Sequence, residues 1–492
     1  MDLNKLRNEI EHLDDDLLEL FLQRMAIVEK ISDYKIDHHQ KIRDPKREEE
    51  LLKKIPKNHP HSSYLEEFYR EIFRISVNYQ RERQKSPRYG LLGKNLSHSY
   101  SKIIHEEYLN TKYDYFDCKE KEIPKFLKDQ SIGGFNVTQP YKTTIISYLD
   151  EISDEAKAIG CVNTVIRRNN KLYGYNTDME GFIYGIKSAG FSMKNKNIVI
   201  LGNGATSKTV YRALRILGAN TIVKLTRNSR IKYKDAHRYS DFDFIINTTP
   251  VGMYPRNGKS LIDLNLFPHL EGVIDVIYNP HRTKLLLDAE KKGIKTLDGL
   301  PMLVAQAVYA SFLFKGTKGI SPKSILKKMR CATENLVIVG MPGSGKSSLG
   351  RKIARKMNRP FIDTDKEVYK KYGNINHIIL NDGVDVFRKY EREIIEEVGK
   401  KTGCVIATGG GSVLTKENYE PLKQNGTIFF IERKISYLSK KNRPISQRSN
   451  LYEMYKERLP LYRAYADITL TNRSFRHCVD DMIGAFYENI CD

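Results

Sequence analysis

The spacing of apolar residues changes twice along the chain and divides it into three regions. In the first region apolar residues recur every three or four positions, the pattern of amphipathic helices. From residue 89 to about residue 314, strand-like and helical stretches alternate, as in an α/β domain. A Lys-rich stretch over 316–334 leads to the third region and is interpreted as a linker. We expect domains over residues 1–85, 88–316 and 335–492, since 492 residues are too many for one core.

The first region is predicted to form three helices. The long first helix carries an apolar stripe without Gly or Pro, made of Leu3, Leu6, Ile10, Leu13, Leu17, Leu20, Ile27, Val28 and Ile31. A turn near residues 37–41 precedes a short helix, a third helix covers residues 64–83, and residues 84–87 are expected to be a linker. Three helices with so long an arm bury little apolar surface, so we expect a homodimer formed through the arm.

Composition narrows the classes of function. The formal charge of +22 invites a nucleic-acid partner, but Lys and Arg are spread among acidic residues and no nucleic-acid motif occurs. We expect small anionic substrates and no nucleic acid. The six cysteines lack metal spacing, no apolar stretch reaches membrane-spanning length, and residues 1–16 are unlike a signal peptide. A cytoplasmic enzyme without membrane association, disulfides or zinc is therefore expected.

The third region opens with an apolar strand over residues 335–339, a glycine loop and a helix. The loop reads GMPGSGKSS from Gly340 to Ser348. In such a P-loop, backbone N–H groups converge on phosphate oxygens, Lys346 adds a positive charge, and Ser347 offers a hydroxyl to Mg²⁺. An ordinary strand–helix turn is the alternative, but the flanking strand and helix favour a nucleoside triphosphate site.

Further motifs follow this loop. In order they are Phe361-Ile362-Asp363-Thr364-Asp365, Phe387-Arg388, Thr408-Gly409-Gly410-Gly411, Asn442-Arg443-Pro444 and Arg458-Leu459-Pro460-Leu461-Tyr462. Each arginine alone would be an ordinary surface residue. Together with the P-loop, the motifs resemble shikimate kinase from residue 335 to the end, whereas gluconate and nucleotide kinases share the loop but lack the other motifs.

That resemblance implies an α/β P-loop kinase domain that uses ATP and Mg²⁺. The implied shikimate-binding residues are Asp365, Arg388, Gly409, Gly410, Gly411 and Arg458. The implied ATP-binding residues are Gly343, Ser344, Gly345, Lys346, Ser347, Ser348 and the lid residue Arg443. Lys346 is also expected to act in catalysis, and Ser347 and Asp363 are expected to hold Mg²⁺.

A weaker glycine signature lies in the second region. The apolar strand over 198–201 runs into Gly202-Asn203-Gly204-Ala205-Thr206-Ser207, and a helix is expected from Lys208. A dinucleotide fingerprint would carry a third Gly where Ser207 stands. The next strand ends in Thr226-Arg227-Asn228-Ser229-Arg230, and arginines there suit the 2′-phosphate of NADP better than the 2′-hydroxyl of NAD. Taken alone, the stretch also fits an α/β turn with incidental arginines.

Motifs on both sides of this turn point to one family. They are His98-Ser99-Tyr100-Ser101, Asn136-Val137-Thr138-Gln139-Pro140-Tyr141-Lys142, Gly160-Cys161-Val162-Asn163-Thr164-Val165, Gly174-Tyr175-Asn176-Thr177-Asp178, Asn247-Thr248-Thr249-Pro250-Val251-Gly252-Met253, Asp275-Val276-Ile277-Tyr278 and Met302 to Gln306. The set resembles shikimate dehydrogenase over the whole domain, with a quinate-type dehydrogenase as the close alternative. The resemblance implies an α/β substrate domain plus a Rossmann NADP domain over about 190–290.

In that resemblance Lys142 and Asp178 are the catalytic pair, because reducing 3-dehydroshikimate requires a proton for the developing alkoxide. The implied substrate contacts are Ser99 and Ser101 to the carboxylate, and Thr138, Asn163 and Gln306 to the ring hydroxyls. The implied NADP contacts are Gly202, Asn203, Gly204, Ala205, Thr206, Ser207, Thr226, Arg227, Asn228, Arg230 and Met253. On its own, Lys142 would be a surface lysine and Asp178 a helix N-cap.

Charged and polar residues also recur along the first region. They are Arg7, Arg24, Lys35, Arg43-Asp44-Pro45-Lys46-Arg47-Glu48 and Ser76-Val77-Asn78-Tyr79-Gln80. This series resembles an all-helical chorismate mutase over residues 3–83, and it implies ligand contacts by Arg7, Arg24, Lys35, Asp44, Arg47, Glu48, Ser76 and Gln80. Chorismate rearranges without a nucleophile, so Arg24, Lys35 and Gln80 would act through orientation and electrostatics, with Arg7 supplied by the partner chain.

We therefore expect a trifunctional enzyme of aromatic amino-acid biosynthesis: an all-α chorismate mutase, an α/β shikimate dehydrogenase with a Rossmann NADP domain, and an α/β P-loop shikimate kinase. Its substrates would be chorismate, 3-dehydroshikimate and shikimate. The alternative is a bifunctional dehydrogenase and kinase whose helical domain only dimerises or regulates. A tether raises the local shikimate concentration, but no channel follows from the sequence.

Overall fold

The computed structural model describes residues 2–37, 40–85, 87–96, 99–228, 230–255, 257–316, 319–438 and 451–491. The first domain consists of α1 (Leu3–Asp37), α2 (Pro45–Leu52) and α3 (Ser62–Lys85). These bounds confirm the three predicted helices. The predicted linker over 84–87 is wrong in its first half, because α3 continues through Lys85. Pro87 explains the stop, since the residue before a proline disfavours helical backbone angles.

The first half of the second domain is built on a six-stranded sheet. Its elements are β1 (Arg88–Gly93), α4 (Ser101–Ile103), β2 (Tyr113–Asp117), α5 (Ile123–Leu127), β3 (Ile132–Val137), β4 (Glu151–Ile152), α6 (Asp154–Ile159), β5 (Thr164–Arg168), β6 (Lys171–Tyr175) and α7 (Thr177–Ser188). The strand order is β2-β1-β3-β5-β6-β4, with β5 antiparallel to both β3 and β6. Leu92, Phe135 and Val165 are buried together in its core.

The second half of this domain is an open parallel sheet. Its elements are β7 (Ile198–Leu201), α8 (Ala205–Ile216), β8 (Ile222–Leu225), β9 (Phe244–Asn247), β10 (Gly272–Asp275), α9 (Lys284–Lys291), β11 (Lys295–Leu297) and α10 (Leu300–Lys315). The order β11-β10-β9-β7-β8 confirms the predicted Rossmann-type part, and α10 returns to pack along α7. Helix α8 begins three residues earlier than predicted, because Gly204 is already its N-cap.

The predicted linker over 316–334 is also wrong, because most of it is helix α11 (Pro322–Thr333). Pro322 stands at the first helical position, where a missing N–H costs no hydrogen bond. Ile325 and Met329 lie one turn apart and are buried against Leu300 and Val304 of α10. The connection is thus a packed element of the fold.

The third domain is a five-stranded parallel sheet covered by helices. Its elements are β12 (Asn335–Val339), α12 (Lys346–Lys356), β13 (Phe361–Asp363), α13 (Thr364–Tyr372), α14 (Ile375–Asn381), α15 (Val384–Val398), β14 (Val405–Ala407), α16 (Tyr419–Gln424), β15 (Gly426–Glu432), α17 (Leu451–Tyr465), β16 (Ile468–Thr471) and α18 (Phe475–Cys491). The order β13-β14-β12-β15-β16 places the P-loop at the carboxyl end of the central strand. No helix in the described residues is long and apolar enough to cross a membrane.

Buried carboxylates form ion pairs between the second domain and the end of α11, which leads into the third domain. Arg330 Nη2 lies 2.6 Å from Asp298 Oδ1, and Arg282 Nη1 lies 3.0 Å from Glu334 Oε1. Burial alone would raise the pKa of both carboxyl groups, but the facing arginines lower it to about 2 in each case. Removing one partner of such a pair leaves a buried charge without solvation, so these contacts hold the end of α11 against the second domain.

Candidate active sites

A cavity of about 200 Å³ lies in the second domain, between its two halves. All seven substrate-contacting residues predicted for this domain line it: Ser99, Ser101, Thr138, Lys142, Asn163, Asp178 and Gln306. They come from the loops after β1 and β3, from the start of α4, from the residue before β5, and from helices α7 and α10. The fold therefore brings together polar groups that are up to two hundred positions apart in the sequence. Sequence reasoning missed Tyr278, which also lines the cavity and whose pKa is raised to about 12 by burial.

A lysine–aspartate pair stands in this cavity. Lys142 Nζ lies 2.5 Å from Asp178 Oδ2, and both side chains are largely shielded from solvent. Asn163 Nδ2 donates to the other carboxylate oxygen at 2.8 Å, so Asp178 is held from two sides. Asp178 sits in the first turn of α7, which begins after the N-cap Asn176. The arrangement presents one ammonium group, in a fixed position, to whatever occupies the cavity.

A second cavity, of about 490 Å³, opens beside the glycine turn. The predicted cofactor residues that line it are Gly202, Asn203, Gly204, Thr226, Arg227 and Asn228. Gly202 has φ +113°, and an added Cβ there would lie 2.8 Å from Thr248 Oγ1, so only glycine fits. Thr206 lines the neighbouring 200 Å³ cavity, which places the two cavities side by side.

Several predicted cofactor contacts lie elsewhere. Ser207 is fully buried and its hydroxyl donates to Gly202 O at 2.9 Å, so it supports the glycine turn from behind. Ala205 starts α8 in the same turn. Met253 and Arg230 are exposed and are not among the residues lining the cavity. Their roles stay predictions.

A cavity of about 380 Å³ lies at the carboxyl edge of the third sheet. The predicted residues lining it are Gly343, Gly345, Lys346, Ser347, Ser348, Asp365, Arg388, Gly409, Gly410, Gly411 and Arg458. Lys346 Nζ donates to Gly340 O at 2.7 Å and to Met341 O at 3.0 Å, which holds it over the loop. Ser344 is fully buried beneath the loop. Phosphate-binding backbone and a polar pocket therefore share one cavity.

The polar pocket depends on three consecutive glycines. An added Cβ at Gly409 would lie 2.7 Å from Glu391 Oε1, and one at Gly411 would lie 2.7 Å from Arg388 Cζ. Arg458 Nη1 donates to Gly410 O at 3.2 Å. Because these three residues have no side chains, the buried charged groups can pack closely around the pocket.

Sequence reasoning missed Glu391, which lies one turn after Arg388 on α15. Arg388 Nη1 lies 2.6 Å from Glu391 Oε2, and the carboxylate side chain is 1% exposed. Burial raises the pKa of Glu391, and the nearby positive charge of Arg388 offsets only part of this rise. The spacing of three residues on a predicted helix was the signal that could have found this partner.

The candidate Mg²⁺ donors are a carboxylate and a hydroxyl, which suit this hard cation. Ser347 lies in the first turn of α12 and lines the cavity. Asp363 ends β13 at the same edge of the parallel sheet, and its carboxylate caps α13 by accepting from Lys366 N at 3.4 Å. Arg443 lies outside the described residues.

In the first domain, a small polar cluster lies between α1 and α3. Arg24 Nη1 donates to Ser76 Oγ at 2.7 Å, and burial lowers the pKa of Arg24. Gln80 lies one turn beyond Ser76, is 6% exposed, and its Oε1 has no hydrogen-bond partner among the described residues. A contact between two helices does not require polar groups on its buried face. Here such groups are present and can donate hydrogen bonds to a ligand.

The remaining predicted ligand contacts of this domain lie further along it. Lys35 Nζ donates to Ile42 O at 2.6 Å, next to the segment that starts α2. Asp44 caps α2 by accepting from Arg47 N at 3.1 Å, and Glu48 pairs with Arg43. Lys35, Asp44 and Glu48 therefore lie around the segment that starts α2.

Arg7 stands apart from this cluster. It lies seventeen positions before Arg24 on the same straight helix, or about 25 Å away at the rise of an α-helix. Arg7 and Arg24 of one chain therefore cannot contact one small ligand.

Helix α1 leaves a large apolar surface in solvent. Its exposed apolar residues are Leu3, Ile10, Leu13, Leu17, Leu18, Leu20, Leu22, Ile27 and Ile31. Each is at least 43% exposed, whereas Val28 is the one buried apolar residue among the side chains of this helix that the structure describes. Exposed apolar surface of this extent is typical of an interaction surface.

Known families match the chain in three segments. Residues 6–81 match chorismate mutase type II, residues 91–165 match the shikimate dehydrogenase substrate binding domain, and residues 342–485 match shikimate kinase. This order confirms the three resemblances predicted from the sequence motifs.

Individual relatives match the second domain. A shikimate dehydrogenase (NADP(+)) of Caldanaerobacter subterraneus is 37% identical over 255 residues, covering 46% of this chain and 91% of the relative. One from Methanococcus maripaludis is 37% identical over 270 residues, covering 49% and 97%. The crystal structure of a chorismate mutase/shikimate 5-dehydrogenase fusion protein from Clostridium acetobutylicum is 32% identical, covers 50% of this chain and 97% of that one, and has a TM-score of 0.48.

Proposed function

Because the chain belongs to the shikimate dehydrogenase family, with a chorismate mutase domain before that segment and a shikimate kinase domain after it, we propose that one polypeptide catalyses three reactions. It rearranges chorismate to prephenate, reduces 3-dehydroshikimate to shikimate with NADPH, and phosphorylates shikimate with ATP. The observation that carries the proposal is the convergence of seven predicted residues on one cavity beside the glycine turn.

In the dehydrogenase site, NADPH supplies the hydride when bound. Lys142 donates a proton to the oxygen that becomes a hydroxyl, and Asp178 keeps the ammonium group aimed into the cavity through their 2.5 Å contact. Ser99 and Ser101 bind the substrate carboxylate. Ser101 N in turn lies 3.2 Å from Ser99 Oγ, so the two hydroxyls are set by one short loop. Substrate is thereby oriented before the proton moves.

NADP is preferred over NAD in this proposal. Arg227 and Asn228 follow β8 and line the cofactor cavity, at the place where a carboxylate would grip a free ribose 2′-hydroxyl. A guanidinium group there favours a 2′-phosphate instead. The two relatives are named as NADP(+)-dependent enzymes, which agrees with this preference.

In the kinase site, the P-loop binds the triphosphate of ATP, with Mg²⁺ held through Ser347 and Asp363. Lys346, which contacts loop carbonyls at 2.7 and 3.0 Å, can turn toward phosphate oxygens without leaving the cavity. Arg388 and Arg458 clamp the shikimate carboxylate, and Asp365 contacts its hydroxyls. Catalysis here is positioning and charge neutralisation, because phosphoryl transfer needs no covalent chemistry from the protein.

The mutase site requires two chains. Arg24, Ser76 and Gln80 supply buried hydrogen-bonding groups for chorismate, and Arg7 reaches the site from a partner chain, because it lies about 25 Å from Arg24 along its own helix. The exposed apolar residues of α1 supply the dimer contact, since burying one such side chain contributes about 1.5–3 kcal/mol. The polar cluster argues against a helical domain that only dimerises.

We place these reactions in the cytoplasm, where ATP and NADPH are supplied. The cysteines described, Cys118, Cys161, Cys331, Cys404 and Cys478, are free thiols, which suits a reducing compartment. Finding the activity in a soluble fraction after cell breakage tests this placement, and its recovery with membranes contradicts it.

One purified preparation tests the three activities. Chorismate absorbance should fall, NADPH should be oxidised only with 3-dehydroshikimate, and ADP should form only with shikimate. NADH in place of NADPH, and 3-dehydroquinate in place of 3-dehydroshikimate, serve as the controls for cofactor and substrate choice. An Arg24→Ala variant should lose the mutase activity alone, and light scattering should report a dimer. A chain that leaves chorismate unchanged would instead be a bifunctional enzyme.

A further inference from the structure

Two loops of the dehydrogenase domain lead from its ligand cavities to the kinase domain. The cofactor loop, residues 248–255, follows β9, and its first residues line the cofactor cavity. The substrate loop, residues 276–282, follows β10, and Val276 and Tyr278 line the substrate cavity. Both loops leave the carboxyl edge of the same parallel sheet.

The cofactor loop ends on two kinase residues, Gln424 and Asn425, which we call the kinase turn. The Tyr254 hydroxyl lies 3.2 Å from Gly399 O and 3.3 Å from Gln424 Oε1, and it accepts a hydrogen bond from Asn425 Nδ2 at 3.1 Å. Just beyond the loop, Asn257 Nδ2 donates to Gln424 Oε1 at 2.7 Å. The far end of the loop is thus held by amide side chains of another domain.

The substrate loop ends on the same kinase turn. His281 N donates to Asn425 Oδ1 at 3.0 Å, and Arg282 N donates to Gln424 O at 2.9 Å. Only two residues separate His281 from Tyr278 in the cavity wall. Gln424 and Asn425 are 1% and 0% exposed, so water does not replace these contacts.

The near ends of the two loops also share one anchor. Asp275, which is fully buried, accepts hydrogen bonds from Asn247 Nδ2 at 3.0 and 3.1 Å and from Thr283 Oγ1 at 2.8 Å. Each loop therefore starts at a common carboxylate in the dehydrogenase domain and ends at a common turn in the kinase domain.

We propose that Gln424 and Asn425 are positioning residues for the dehydrogenase reaction: the kinase turn holds the cofactor loop and the substrate loop in the arrangement that binds NADPH and 3-dehydroshikimate. This inference rests on the proposed dehydrogenase function. The kinase's own site is not involved, because the turn precedes the amino end of β15, whereas the P-loop lies at the carboxyl edge of that sheet.

Two variants of the full chain test the inference. Gln424→Ala removes the acceptor of Asn257 and one of the two acceptors near the Tyr254 hydroxyl, whereas Tyr254→Phe removes that hydroxyl altogether. Each loses one or two buried hydrogen bonds, so we expect the KM for NADPH to rise about five- to thirtyfold. The dissociation constant from NADPH fluorescence should rise in parallel, while kinase kcat and KM stay within twofold of the wild type.

Glu420→Gln is the matched control. It breaks the contact of Glu420 with Lys284, at 2.6 Å in the same domain interface, but touches neither loop. Its NADPH affinity should stay within twofold of the wild type. Unchanged NADPH affinity in Tyr254→Phe, or an equal loss in Glu420→Gln, overturns the inference while the wild-type dehydrogenase activity upholds the proposed function. A wild-type chain that never oxidises NADPH with 3-dehydroshikimate overturns both.

Discussion

Replacing Gly411 by alanine should disable the kinase through a single methyl group. Gly411 has φ −106°, so the backbone accepts any residue and the effect comes from the new Cβ alone. That atom would lie 2.7 Å from Arg388 Cζ and Nη1, closer than real Cβ contacts come. Arg388 cannot keep its position, although it is paired with the buried Glu391.

The size of the effect follows from the hydrogen bonds that Arg388 makes. A charge-assisted hydrogen bond contributes about 1.5–3 kcal/mol, and a forked guanidinium–carboxylate contact has two of them. Losing one, at about 2 kcal/mol, lowers kcat/KM for shikimate about 30-fold, and losing both lowers it about 1000-fold. We expect a value between these limits, with most of the change in the KM for shikimate.

The assay follows ADP formation against shikimate concentration, with dehydrogenase activity of the same protein as the internal reference. Gly484→Ala on α18 is the matched control, since no atom lies within 4 Å of its added Cβ. That substitution should leave activity unchanged and raise stability by about 0.5–1 kcal/mol. If Gly411→Ala keeps kcat/KM within threefold of the wild type, Arg388 does not bind the acceptor carboxylate.

Three further outcomes are expected. Lys142→Met should lower dehydrogenase kcat about 10²- to 10⁴-fold while NADPH still binds by fluorescence titration, and a smaller loss would remove Lys142 as proton donor. Arg227→Gln should raise the KM for NADPH about tenfold and leave that for NADH unchanged; parallel changes for both cofactors would contradict a 2′-phosphate contact. The pKa values of Asp298 and Glu334 are lowered to about 2 in the folded protein, whereas in the unfolded chain they are near 4. Both carboxylates therefore stabilise the fold fully above about pH 4, and this stabilisation is lost as pH falls toward 2. Urea midpoints measured across this range should drop, and Asp298→Asn should flatten the drop.

Motif order was enough to propose site residues, and the structure adds how some of them meet. The pairing of Lys142 with Asp178 could be anticipated, because both stand in separate motifs of one family and their chemistry is complementary. The contact of Arg388 with Glu391 was not predicted, because Glu391 belongs to no motif and only its spacing of three residues from Arg388 on α15 points to the pair.

The helix over Pro322–Thr333 was mistaken for a linker because its lysines dominate the composition. Its buried apolar side chains are Ile325 and Met329, and so short an amphipathic pattern is hard to recognise in a sequence. The role of the kinase turn could not be predicted from the sequence, for a different reason. Gln424 and Asn425 are ordinary polar residues in sequence, and their role arises from contacts between domains that no local pattern encodes.

The kinase domain meets the dehydrogenase domain at the amino ends of its strands, and this orientation decides how product travels. The seven residues of β15 span about 20 Å, so the acceptor pocket, at the carboxyl ends of the strands, lies one strand length from the contact with the dehydrogenase domain. We therefore expect newly made shikimate to leave the dehydrogenase site and to reach the kinase site through solvent. Isotope-labelled shikimate formed by the dehydrogenase is then diluted by unlabelled shikimate in the medium before it is phosphorylated.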